Sequence, residues 1–113
     1  MSSLSNYLRT NRKRAALSQE EVAFLLGING PNKAAKVCRD ENFVREPTLQ
    51  TALAYEAIYD RPVRELFAGQ YQRIEQDVAT RAKILAHRKD QRPNQKRHET
   101  LAKLILHKVK PGV

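Results

Sequence analysis

Side-chain hydrogen-bond donors are the chemistry that this sequence sets in a pattern. Between positions 29 and 45 the chain carries Asn29, Asn32, Lys33, Lys36, Arg39 and Arg45. If this stretch is helical, Lys33, Lys36 and Asp40 share a face with Arg39 nearby. An arginine can pair bidentately with guanine O6 and N7, and an asparagine can read adenine or hold a phosphate. The pattern therefore nominates Asn32, Lys36 and Arg39 as donors to base edges. It nominates Asn29, Lys33 and Arg45 as phosphate contacts. Asp40 is unfavourable beside phosphate and is expected to pair with Lys36 four residues earlier.

Other chemistries find no footing. No glycine-rich phosphate loop, Ser/His/Asp set or pair of opposed carboxylates stands out, so an enzyme is not expected. His87, His98 and His107 are scattered without ligand spacing, which argues for no metal. No cofactor is implied. The single cysteine, Cys38, cannot build a disulfide framework and is expected to be a small half-buried side chain.

The totals agree with a polyanionic partner. The chain has 113 residues, 21 Lys+Arg against 12 Asp+Glu, and a net charge of +9. That length suits one small domain with an appended arm. No apolar run approaches the ~18 residues of a membrane span, and the first residues lack the apolar segment of a signal peptide. A cytoplasmic, membrane-free protein is the expectation. With no Trp and few other aromatics, a stacking platform for single strands is disfavoured.

The donors need elements to hold them. Leu4 to Ala16 reads as a first helix, with Leu4, Leu8 and Ala15 near helical spacing and Tyr7 beside them. Arg9, Arg12, Lys13 and Arg14 crowd its C-terminal end, where they suit the helix dipole or, from a helix lying along DNA, meet phosphates. Arg12 and Lys13 are the candidates. Ser18-Gln19-Glu20-Glu21 is a capping box that opens a second helix. Val22, Leu25 and Leu26 supply its buried face, and Gly27 supplies a turn.

After the turn-rich run Ile28 to Asn32, a third helix from Lys33 to about Asn42 is expected, capped by Asn32. Its inward set is thin: either Val37 pairs with Asp40, or Ala34 pairs with Val37. Phe43 plugs the end of the core. A short capped helix, a glycine turn and a second basic helix together form a helix-turn-helix, whose second helix enters the major groove.

Pro47 and Thr48 open a fourth helix, in which Leu49, Leu53, Ala54, Ala57 and Ile58 predict the most core-like face. Pro62 starts a short fifth helix that turns Val63, Leu66 and Phe67 inward, and Gly69 ends it. A domain over residues 1–69 and a basic helical extension over 70–113 follow. Residues 76–113 hold ten Lys+Arg against three Asp+Glu. Tyr71, Ile74, Val78, Ala82 and Leu85 form one apolar stripe of the extension. Arg92-Pro93-Asn94 interrupts, and Leu101, Leu104, Ile105 and Val109 form another. Tyr71, Ile74, Val78 and Leu85 are the candidate seam of a homodimer, with packing inside the chain as the alternative.

SQEEVAFLLG, KVCRDENFVREPTL and PVRELFAG resemble the phage-repressor-like (Xre/Cro) helix-turn-helix family over about Leu4 to Gly69. The resemblance implies an all-α, five-helix, lambda-repressor-like domain. It implies no enzymatic activity and no cofactor, and it places Gln19 at a phosphate. It favours the arrangement that pairs Val37 with Asp40. The chain departs from the family pattern where Asp40 replaces an aliphatic or aromatic residue and Phe43 a turn glycine. On this reading the protein is a double-stranded-DNA-binding transcriptional regulator, in particular a repressor. The alternatives are a protein-interaction or antitoxin-like module, and a non-specific nucleic-acid binder acting through the basic tail.

Overall fold

The computed structural model describes residues 6–88 and 94–108, with side chains as far as residue 106. The expected helix start at Leu4, the interruption at Arg92-Pro93 and the stripe residue Val109 lie outside the described residues. Seven helices and no strand occur among those described. They are α1 (Leu8–Arg14), α2 (Gln19–Leu25), α3 (Lys33–Glu41), α4 (Leu49–Tyr59), α5 (Val63–Leu66), α6 (Ala68–Ala86) and α7 (Gln95–Lys108). None of the described helices is long and apolar enough to cross a membrane. The chain divides into two compact units, Met1–Gln70 and Tyr71–Val113.

In the first unit, local chemistry sets the helix ends. The Ser18 hydroxyl accepts the Glu21 N–H at 3.0 Å, and the Glu21 carboxylate accepts the Ser18 N–H at 2.8 Å. Both halves of the capping box are therefore made. Replacing Ser18 by Ala should cost ~1 kcal/mol of stability, read as a lower thermal midpoint. An unchanged midpoint would show that the cap adds nothing.

At the other end of α2, Ile28 N–H reaches Ala23 O and Gly27 N–H reaches Phe24 O. This closure requires a left-handed residue, and Gly27 supplies it at φ +81°. A Cβ there would meet open space, so backbone angle alone selects glycine. α1 and α3 close with the same hydrogen-bond pattern, yet with Ala16 at φ +62° and Phe43 at φ +51° in the left-handed place.

The core gathers Leu8, Val22, Ala23, Val37, Tyr55, Tyr59, Leu66 and Phe67. Thr48 caps α4 by accepting the Thr51 N–H. The face of α4 that enters the core matches the expected one at Ile58, with Ala54 half-buried, and departs from it elsewhere. Leu49 and Leu53 are 74% and 52% exposed and Ala57 is also exposed, whereas Tyr55 and Tyr59 are buried with Ala52 and Ile58 against them. The physical reason is that α4 is apolar on nearly every side, so its periodicity gives no direction. The two tyrosine rings stack with centroids 6.0 Å apart.

α5 follows the expectation at Leu66 and Phe67, both buried, with Val63 partly so. Gly69 does not end it. That glycine lies inside the first turn of α6, which begins at Ala68.

The second unit buries little. Ala79 and Ala82 of α6 and Leu101 of α7 are its buried apolar side chains among those described. Tyr71, Ile74 and Val78 are exposed and line a groove with Lys103 and Leu104. Leu85 is half-buried.

Candidate nucleic-acid interface

α3 enters the core through one apolar contact and two polar ones. Val37 is fully buried and Asp40 is 5% exposed, while Ala34 is only partly covered. Of the two arrangements open to α3, this is the one that pairs Val37 with Asp40. Asp40 does not meet Lys36. Its carboxylate accepts the Tyr55 hydroxyl at 2.8 Å, and its main-chain carbonyl accepts the Asn6 amide at 3.0 Å. Asn6 is itself buried, and its Oδ1 accepts the Leu8 N–H at the start of α1.

Burial pushes the Asp40 carboxyl above its ordinary value, against the Tyr55 hydrogen bond and the charges of Arg45 and Arg39, which favour ionisation. Burial first, then the hydrogen bond to Asp40, raises the Tyr55 hydroxyl far above its ordinary value.

The next residue, Glu41, anchors a second cluster. Its Oε2 accepts Arg12 Nε at 2.6 Å, and its Oε1 accepts Arg12 Nη2 at 3.2 Å and Gln19 Nε2 at 3.1 Å. Arg12 Nη1 donates to Leu17 O at 3.1 Å. The Arg12 and Glu41 side chains are only 12% and 3% exposed. The hydrogen bond to Glu41 raises the Arg12 guanidinium above its ordinary value, although burial opposes it. Beside this pair the Tyr59 hydroxyl is buried without a hydrogen-bond partner, and burial pushes it up to about 12.

Two of the expected phosphate contacts are engaged within the unit: Arg12 with Glu41 and Leu17 O, and Gln19 through its amide with Glu41. Arg9, Lys13 and Arg14 of α1 are all exposed.

The expected base readers fall together. Successive helical residues are turned by ~100°, which places Asn32, Lys36 and Arg39 within an arc of ~60° and away from Val37. All three are exposed, and among the described residues their side chains make no hydrogen bond or ion pair. Asn32 occupies the N-cap position of α3 but gives no side-chain cap, which corrects the capping role expected of it. Its amide is left to solvent.

Asn29 and Arg45 are exposed in the segments before and after α3. Lys33 is half-buried and lines a shallow pocket with Leu17, Glu20, Glu21, Phe24 and Leu25, so it sits apart from the other donors. Cys38 is half-buried and accepts a weak contact from the Asn42 amide.

Three residues that position the site had no role in the sequence reading. Asn6 lies within the expected first helix but off its apolar stripe, and Tyr55 lies outside the leucine stripe of α4. Glu41 had a usable signal: an acid two residues after Arg39, on the side of a basic helix that faces other basic elements, needs a cation.

No family model, curated protein or solved structure matches the chain.

Proposed function

We propose that the first unit is a helix-turn-helix module of the lambda-repressor-like kind that reads double-stranded DNA. In this reading α2 is the positioning helix and α3 the reading helix in the major groove. The observation that carries the reading is the solvent face of α3. Asn32, Lys36 and Arg39 project from one narrow arc with their donors unengaged, on a helix whose opposite side is fastened to three others. Lys13, Asn29 and Arg45 supply phosphate contacts beside it.

A single module of this size buries too little DNA for tight specific binding, so the protein acts as a homodimer on a two-fold site. The exposed Tyr71, Ile74 and Val78 of α6 support that arm as the seam. Occupying an operator in this way makes the protein a transcriptional regulator, in particular a repressor. The excess of Lys and Arg over residues 76–113 adds a sequence-independent phosphate contact.

Selection of bound duplexes from a random pool tests the reading. The expected outcome is an enriched two-fold site whose affinity falls steeply with salt. Changing Arg39 to Ala should relax preference at one base step by ~1–3 kcal/mol. Changing Lys13 to Ala should weaken all duplexes alike and lower the salt slope by ~1. If Arg39→Ala leaves both affinity and preference untouched, α3 is not the reader. Salt-sensitive binding with no enriched site would instead assign the binding to the basic tail alone.

A further inference from the structure

Resting on the reading of α3 as the DNA reader, we infer that Asp40 is a specificity-determining positioning residue. Through Tyr55 it fixes the rotation of α3, and so decides which bases Asn32, Lys36 and Arg39 meet.

Val37 is the fully buried apolar side chain of α3. Apolar contact is non-directional, and one valine leaves a short helix free to roll about its axis. Hydrogen bonds are directional and tolerate only a few tenths of an ångström. At ~100° per residue, Asp40 and Glu41 lie on either side of Val37 around the helix. Asp40 is tied to Tyr55 of α4 at 2.8 Å and through its carbonyl to Asn6 at 3.0 Å. Glu41 is tied to Arg12 of α1 and Gln19 of α2.

The helix is thus braced against rolling in both directions. The Asp40 brace stands next in sequence to Arg39. With side chains ~5–6 Å from the helix axis, a roll of ~20° moves their ends by ~2 Å. That displacement exceeds what a bidentate pair to a base can absorb. An apolar residue at position 40 would fill the same space without setting an angle.

The test compares three full-length chains by selection from a random duplex pool and by affinity for the enriched and a scrambled site. Asp40→Asn keeps an oxygen that accepts the Tyr55 hydroxyl. It should enrich the wild-type site with preference within about threefold of wild type. In the double variant Asp40→Leu, Tyr55→Phe both polar partners become apolar, which leaves no unsatisfied group, and the Asn6 bond to the residue-40 carbonyl is kept, so the variant isolates the tie to Tyr55. It should lose about tenfold or more of its preference for the wild-type site while binding the scrambled duplex as before.

A folded double variant that enriches the same site with the same preference overturns the proposal and leaves α3 as the reader. A wild-type chain that enriches no site overturns both. Should the double variant not fold, Tyr55→Phe alone is held to the same two criteria.

Discussion

Glu41→Ala is expected to remove ~3–5 kcal/mol, a large share of the first unit's stability. The carboxylate is 3% exposed and takes both donors of one edge of the Arg12 guanidinium, with Gln19 as a third. Removing it strands a cation that is itself only 12% exposed. Breaking one side of a buried pair costs ~3–5 kcal/mol, because the remaining charge has lost its compensation. A unit of this length has in total only ~4–10 kcal/mol to lose.

Denaturant unfolding followed by far-UV circular dichroism measures the loss. The loss belongs to the stranded charge rather than to the ion pair as such. The double variant Arg12→Met, Glu41→Leu should therefore recover most of it, since an apolar pair of similar volume replaces the ions without leaving either alone. A Glu41→Ala chain with the wild-type midpoint would mean that Arg12 finds solvent readily and that the cluster is not closed.

Tyr55→Phe carries the second large effect and gives it a pH signature. The substitution keeps the ring and its stacking on Tyr59 but removes the hydroxyl that Asp40 accepts. Losing a hydrogen bond to a buried charged group costs ~1.5–3 kcal/mol at neutral pH.

Burial already holds the Asp40 carboxyl above its ordinary 3.8, with the Tyr55 bond pulling the other way. The folded chain therefore keeps a proton over a range in which the unfolded chain has released it. Through that range Asp40 makes folding more favourable as pH falls. The gain begins at the raised folded value and is complete near 3.8, where the unfolded chain is protonated too. Tyr55→Phe should move the start of this gain to higher pH. Asp40→Asn should abolish it. The measurement is the difference in unfolding free energy between wild type and Asp40→Asn across the acid range. A difference independent of pH would show that Asp40 titrates alike in both states.

The two neighbours Asp40 and Glu41 also explain how far the sequence could be read. Helix ends were legible because their causes are local: the Ser18–Glu21 box, the Thr48 cap and the left-handed turn at Gly27 each involve residues a few positions apart. The exposure of Lys36 and Arg39 was legible from the helix period, but the same period grouped them with Lys33, which is half-buried, and Asp40, which is buried.

What could not be read depends on partners distant in the chain. A charge at position 40 looks like surface until Tyr55 and Asn6 are seen to close over it. Arg12 looks like a phosphate ligand until Glu41 arrives from α3. On α4, Leu49 and Leu53 form as good an apolar stripe as Ala52, Tyr55 and Tyr59, and only packing decides that the aromatic side goes in. Gly69 misled because glycine marks a break only when the chain must turn there, and in the first turn of α6 it does not.

The convergence on Asp40 and Glu41 has a further consequence, for the way the unit comes apart. These two residues tie the α1 entry, α1, α2 and α4 to a single turn of α3. No helix in that set can open without dragging a buried carboxylate away from its donors. Piecemeal fraying is thereby suppressed, and the cheapest opening that frees α3 is the loss of the whole unit. The backbone of α3 is thereby held in shape by the unit as a whole.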